Sequence, residues 1–175
     1  RVYPFIKDIY CYQTADTPEL FAASGRAFGR FQKMLDGYPA DTLFETIPNF
    51  HNTEDRLAKL KSAIEEDIMD RVKDCGPEIE FVMARQADCS VALQALRDGK
   101  LPLRVTHNDT KLNNILFDKD TNEAICVIDL DTIMPGLSLY DFGDAIRFGG
   151  NTTFEDDDNL DNVKISIELF ESFAR

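Results

Sequence analysis

At 175 residues the chain is long enough to bury one core of ordinary size. Its 32 acidic residues outweigh 19 Lys and Arg to give a net charge of −13, which speaks against nucleic acid as a partner, because that needs a basic face to displace phosphate counterions. No secretory or membrane-spanning stretch is present, and Cys11, Cys75, Cys89 and Cys126 form no C-x-x-C pair; Cys89 and Cys126, in apolar contexts, read as small core residues in a reducing, cytoplasmic compartment with no membrane partner.

In chain order, residues 1–6 read as a strand or an extended linker, with Pro4 favouring an edge or hinge position. Residues 17–36 form the clearest helix: Thr17 caps, Pro18 suits the first turn, Gly37 stops it, and Leu20, Phe21, Ser24, Phe28, Phe31, Met34 and Leu35 recur at helical spacing. Gly25 and Gly29, one turn apart on it, suit the close approach of another element. Residues 38–51 are irregular, and His51 reads as a structural residue beside a helix start. A second helix opens at Asn52 or Thr53, carries Leu57, Leu60, Ile64, Ile68 and Val72 on one face, and ends at Gly76. A third runs from Pro77 to a stop at Gly99, with Ile79, Val82, Cys89, Leu93 and Leu96 inward. None of these helices carries chemistry. They form a platform from which residues 103–106 deliver the next segment.

That segment, HNDTKLNNILFDKDTNEAICVIDLD from His107 to Asp131, reads as loop, β-hairpin and second loop. Ile115 to Phe117 and Ala124 to Ile128 are the apolar arms, and 118–123 is the turn. The hairpin brings Asp109 and Asn114 beside Asp129, so three oxygen donors meet at one sheet edge. Phosphoryl transfer from ATP uses such a set: a carboxylate to take the proton of an attacking hydroxyl, and an amide and a further carboxylate to hold Mg²⁺, a hard ion that shares its shell with phosphates. His107-x-Asp109-x-x-x-x-Asn114 has the H-x-D-x-x-x-x-N form of the kinase catalytic loop. Two other patterns fail in context. Asp118-x-Asp120-x-Asn122 starts like a Ca²⁺ loop but has Glu123 where Gly is required. Asp141-Phe142-Gly143 spells a kinase metal motif, yet no clear strand precedes it, whereas Asp129 directly follows Val127-Ile128. Asp141 is expected to cap or brace a helix, with Arg147 as its partner.

HNDTKLNNILFD followed by VIDLDTIMPGLSLYDFGDAIRF resembles the aminoglycoside phosphotransferase-like branch of the protein-kinase fold, and within it the bacterial N-acetylhexosamine 1-kinases. The resemblance implies an α+β fold, the mainly helical C-terminal lobe of a kinase-like protein over residues 15–175, with residues 1–14 as the linker to an N-terminal lobe. It implies Asp109 as the catalytic base, Asn114 and Asp129 as Mg²⁺ ligands, Lys111 near the transferred phosphate, and the backbone around Val2 and Tyr3 against the adenine of ATP. His107 braces the loop in this class. Asp131 and Asn108 are expected beside the substrate or behind the primary ligands. Both chain ends read as interior points of a longer protein, so the fragment alone is expected not to turn over ATP. The implied partners are a nucleotide and a small-molecule sugar. An aminoglycoside, choline-like or amino-alcohol acceptor is the alternative, a non-catalytic binding lobe another, and a Mg²⁺-dependent hydrolase using Asp109, Asp129 and Asp131 a further one. The acidic run 155–158 reads as a solvated loop leading to a helix over 162–175.

Overall fold

A computed structural model describes residues 3–175. The fold is α+β, and the chain forms two compact units, one that runs to Thr46 and resumes over Arg104–Arg175, and one made of Ile47–Leu103.

The first unit is built on the helix α1 (Pro18–Met34), whose capping is as the sequence predicts: the Thr17 hydroxyl accepts from the Leu20 N–H at 3.2 Å, with Pro18 in the first turn. Leu20, Ala23, Ala27 and Phe28 of this helix pack with Leu112, Ile115 and Phe117 into the core. Met34, placed by its spacing on the apolar face, is 77 % exposed because it sits at the last turn, beyond the reach of that core. Two small antiparallel sheets complete the unit. In one, β1 (Ile9–Tyr10), β3 (Ile115–Asp118) and β4 (Ala124–Val127) lie in the order β1-β3-β4. The other pairs β2 (Arg104–Thr106) with β5 (Met134–Gly136), so a short strand does precede Asp141; it is hidden in the sequence because Pro135 and Gly136 are poor strand formers. The hairpin is as read, with Ile115 opposite Val127 and Leu116 opposite Cys126. Its turn is tied by Asp118, whose Oδ1 accepts from the backbone N–H groups of Asp120 at 3.1 Å and Thr121 at 2.9 Å, an Asx turn where a Ca²⁺ loop would need free carboxylates.

Helix α5 (Ser138–Gly149) follows β5, and α6 (Ile167–Ala174) packs along α1. Gly25 makes this possible, since a Cβ there would meet the Phe173 carbonyl. Gly29 has open space at the same position and serves no such approach. The terminal helix is shorter than the 162–175 span: Asn151 bridges to Ile165 in an extended stretch, and the helix starts only where Ser166 caps it by accepting from Leu169 N at 3.2 Å. Cys11 is exposed, and Cys126, expected in the core, is only half-buried, because its strand keeps one face toward solvent.

The second unit is helical. Its first helix, α2 (Thr53–Glu66), is capped by Asn52, which accepts from Asp55 N at 3.0 Å. It stops ahead of the expected Gly76, at Asp67, which takes a left-handed conformation (φ 37°) while its carboxylate accepts from Arg71 N and Val72 N. Ile68 is consequently off the apolar face and 81 % exposed. The span from Pro77 to Gly99 is two helices, α3 (Gly76–Ala84) and α4 (Val91–Arg97), separated by a 3₁₀ segment over Gln86–Ser90. There Ser90 turns its hydroxyl back to the Ala87 carbonyl, competing with helix propagation. Gly99 ends the last helix at φ 69° as expected. Cys75 is exposed and Cys89 half-buried.

Candidate functional site

The segment between β2 and β3 is a polar loop whose only apolar member, Leu112, is sunk into the core, and this anchors the backbone on either side of it. Its first and last residues meet at Ile128. The His107 Nε2–H donates to the Ile128 carbonyl at 2.9 Å, and the Ile128 N–H donates to the Asn114 carbonyl at 2.9 Å. The other ring nitrogen of His107, Nδ1, accepts from Asp109 N at 3.3 Å, which fixes the proton on Nε2. Phe28 and Phe31 stand edge-on to the imidazole with ring centroids 5.6 and 5.7 Å away. Fully buried and bonded at both nitrogens, His107 braces the loop and has no lone pair left to act as a base.

Asp141 is the second brace. It lies in the first turn of α5, but its side chain points away from the helix end and is 2 % exposed. One carboxylate oxygen accepts from Asn108 N at 2.8 Å; the other accepts from His107 N at 3.1 Å and from the Gln32 amide at 2.9 Å. These are charge-assisted bonds in a low-dielectric interior, where each is stronger than its solvated counterpart. The expected partner Arg147 is elsewhere: it pairs with Asp144 at 2.9 Å and Glu155 at 2.7 Å, because three residues along a helix place Asp144, not Asp141, within its reach. Asp141 therefore braces the loop backbone and does not cap the helix.

Held in this way, the loop brings a set of oxygens close together. Asn114 donates its amide N–H to the Asp109 carbonyl at 2.8 Å and to the Asp109 carboxylate Oδ2 at 2.9 Å, which turns the Asn114 Oδ1 away from Asp109. Asp109 Oδ1 has the Lys111 ammonium at 3.7 Å. Across the hairpin, Asp129 follows Ile128 directly, is solvent-exposed, and occupies the left-handed region at φ 59°. Such a conformation costs a non-glycine residue free energy and persists where surrounding structure imposes it. Here the neighbouring Ile128 is pinned on both its backbone groups. Among the described residues no three His, Cys, Asp or Glu side chains are close enough to cage a metal ion. One carboxylate and one amide oxygen are a poor cage but a good partial shell for Mg²⁺, which completes its octahedron with phosphate oxygens and water. The donor set thus fits Mg²⁺ brought in with a nucleotide.

Lys111 lies between two carboxylates, 3.2 Å from Glu155 and 3.7 Å from Asp109. Burial works to lower its pKa, but the hydrogen bond to Glu155 and the two negative charges outweigh it, so Lys111 titrates above the ordinary lysine value. The Arg147 guanidinium, followed by Lys111, holds Glu155 below the usual carboxylate range against the opposing effect of burial.

A family model described as APH, phosphotransferase enzyme family, matches residues 1–164. The chain belongs to this family. Phosphotransferase chemistry on a small molecule follows from that membership, as the resemblance implies. In this phosphotransferase the structure brings together Asp109, Lys111 and Asn114 by direct contact, and the hairpin adds Asp129. Asn108 is buried at φ 67° and donates to the carbonyls of Thr132 at 2.8 Å and Thr106 at 3.3 Å, so its side chain stands behind the loop and not on its open face. Asp131 is exposed. Tyr3 is largely exposed in an irregular stretch, and Val2 lies outside the described residues. Three contributors escape sequence reasoning: Gln32 on Asp141, Thr132, which donates to the His107 carbonyl at 2.7 Å, and Asp144, which accepts from Thr110 N at 2.8 Å. Only Asp144 had a signal, its three-residue spacing from Asp141 on one helix face. No helix among the described residues is long and apolar enough to cross a membrane.

Proposed function

We propose that the protein transfers the γ-phosphoryl group of ATP to the anomeric hydroxyl of an N-acetylhexosamine, with Asp109 as base and Asn114 and Asp129 as Mg²⁺ ligands. The observation that carries the mechanism is the Asn114 amide, whose nitrogen holds both the carbonyl and the carboxylate of Asp109 and so leaves its own carbonyl oxygen turned away from Asp109, available to a metal in this reading. With Oδ2 of Asp109 engaged, Oδ1 is the oxygen left for the acceptor hydroxyl. As that hydroxyl oxygen bonds to the γ-phosphorus and the bond to ADP breaks, its proton passes to Asp109. Bound Mg²⁺ supplies neutralisation of the phosphate charge. Lys111, beside Asp109, is assigned to offset charge on the transferred group. The backbone near Val2 and Tyr3 is assigned to adenine, and residues 1–14 to the hinge between lobes.

The sugar rests on the resemblance of the 107–148 segment to N-acetylhexosamine 1-kinases. A cationic acceptor, such as an aminoglycoside or choline, is a second reading favoured by the net charge of −13. ADP release by the full-length protein with Mg²⁺ and ATP, measured against N-acetylglucosamine, N-acetylgalactosamine, an aminoglycoside and choline, separates the two. Turnover confined to the acetylated sugars is the expected result. Asp109→Asn should lower kcat by about a thousandfold or more with nucleotide affinity retained, the scale of losing an essential base with its electrostatics. Near-normal turnover in that variant would remove Asp109 from the mechanism.

A further inference from the structure

The acidic run at 155–158 does not behave as a uniform solvated loop. Asp157 turns inward on its own loop, accepting from Thr153, Asn162 and the Asn159 N–H. Glu155 instead reaches the catalytic loop. Its Oε2 lies 3.2 Å from Lys111 Nζ, and its Oε1 accepts from Arg147 at 2.7 Å. Arg147 is in turn held by Asp144 Oδ1 at 2.9 Å, and the other oxygen of Asp144 accepts from Thr110 N at 2.8 Å. The chain of contacts therefore leaves the loop at Lys111 and returns to it at Thr110, one residue away. Each carboxylate in it gives one oxygen to each neighbouring residue: Asp144 offers Oδ1 to Arg147 and Oδ2 to Thr110, and Glu155 offers Oε1 to Arg147 and Oε2 to Lys111.

We propose that Glu155 is a positioning residue for Lys111, resting on the phosphotransferase reading above, and that its task is to hold the ammonium off the base. The distances carry this. Lys111 lies within hydrogen-bonding reach of Glu155 but at 3.7 Å from Asp109 Oδ1, beyond it. Asp109 and Glu155 compete for one cation, and Phe148, whose ring centroid is 5.8 Å from Nζ, bounds the space on another side. With Glu155 neutralised, Asp109 is the remaining carboxylate beside Lys111. The ammonium then closes on Oδ1, the oxygen needed by the acceptor hydroxyl, and leaves the position from which it can meet the transferred phosphoryl group.

The test uses the full-length protein, steady-state kinetics with Mg²⁺ and ATP, and the ¹⁵Nζ resonance of Lys111. Glu155→Gln should lower kcat about tenfold, the order of removing one well-placed charge contact, with KM for ATP and acceptor within about twofold. Glu155→Asp should recover part of the loss. In a Lys111→Ala background, Glu155→Gln should have no further effect, since its action passes through Lys111. A merely structural role would instead lower thermal stability and give additive losses. The Lys111 resonance should move in Glu155→Gln and stay unmoved in Glu168→Gln, an exposed glutamate on α6. Additive losses, or an unmoved resonance, would overturn the proposal. If the unsubstituted protein turns over no acceptor, the functional reading falls and the catalytic part of this proposal with it. The resonance, which needs no turnover, still decides whether Glu155 holds Lys111.

Discussion

Two aspartates in this chain, Asp129 and Asp141, sit in opposite surroundings, and the proposed roles follow that difference. Asp141 is buried and accepts three hydrogen bonds, two of them from consecutive backbone N–H groups of the 107–114 loop. Asp129 is exposed and held at φ 59°, where a glycine would rest more easily. Their substitutions should therefore act in opposite directions. Asp141→Ala leaves buried donors without an acceptor and is expected to cost about 3 kcal/mol. Asp129→Gly is expected to leave stability unchanged or to raise it by up to about 1 kcal/mol, while reducing turnover by a thousandfold or more, roughly the loss of a metal-holding carboxylate. Urea unfolding midpoints and kcat for the two variants check this together; equal destabilisation by both would contradict the assignment of roles. Sequence context marked Asp141 as a structural residue because it lies inside a helical stretch, and its burial behind the loop agrees. It could not choose the partners of Asp141, since Gln32 is 109 residues away and no local pattern marks it.

At the scale of elements, α1 was legible because every signal agreed: cap, first-turn proline, apolar stripe and stop. The hairpin was legible for the same reason, and with it the meeting of Asn114 and Ile128. Where elements were misjudged, a polar side chain had intervened in the backbone or a strand had formed through its pairing alone. Asp67 ends α2 early by bonding Arg71 N and Val72 N, and β5 is stabilised by pairing with β2 despite Pro135 and Gly136. Such events depend on tertiary fit, which periodicity does not encode. The two glycines of α1 give a test at this scale, because they share a helix and differ only in what faces them. Gly25→Ala drives a methyl group into the Phe173 carbonyl and is expected to destabilise by about 1–3 kcal/mol, while Gly29→Ala, with open space, should stabilise by about 0.5–1 kcal/mol. Thermal unfolding of the two single variants measures the difference. Matching shifts of the same sign would mean that α6 does not pack on α1 through Gly25.

For the whole molecule, the division of the chain into two units sets where stability resides. The core residues that are buried, among them Phe21, Ile115, Phe117 and Leu137, all belong to the unit that carries the candidate site. The Ile47–Leu103 unit has none: Leu57, Leu60, Ile64, Ile79, Val82, Leu93 and Leu96 face inward as their spacing predicts, yet each keeps part of its surface in water even within the whole chain. Its helices are short, and the ion pair between α2 and α4, Glu54 with Arg97 at 2.6 Å, is of the solvent-exposed kind that contributes little. Isolated helices of this length are marginal in water, and a unit without a closed core has little else to offset its chain entropy. A peptide spanning 47–103 should therefore show weak helical circular dichroism and melt without a cooperative transition, whereas the whole chain should lose helix in a sigmoidal step. A cooperative melt of the isolated peptide would show that its half-buried leucines and isoleucines suffice as a core, and that the helical unit is an independent domain carried alongside the catalytic loop.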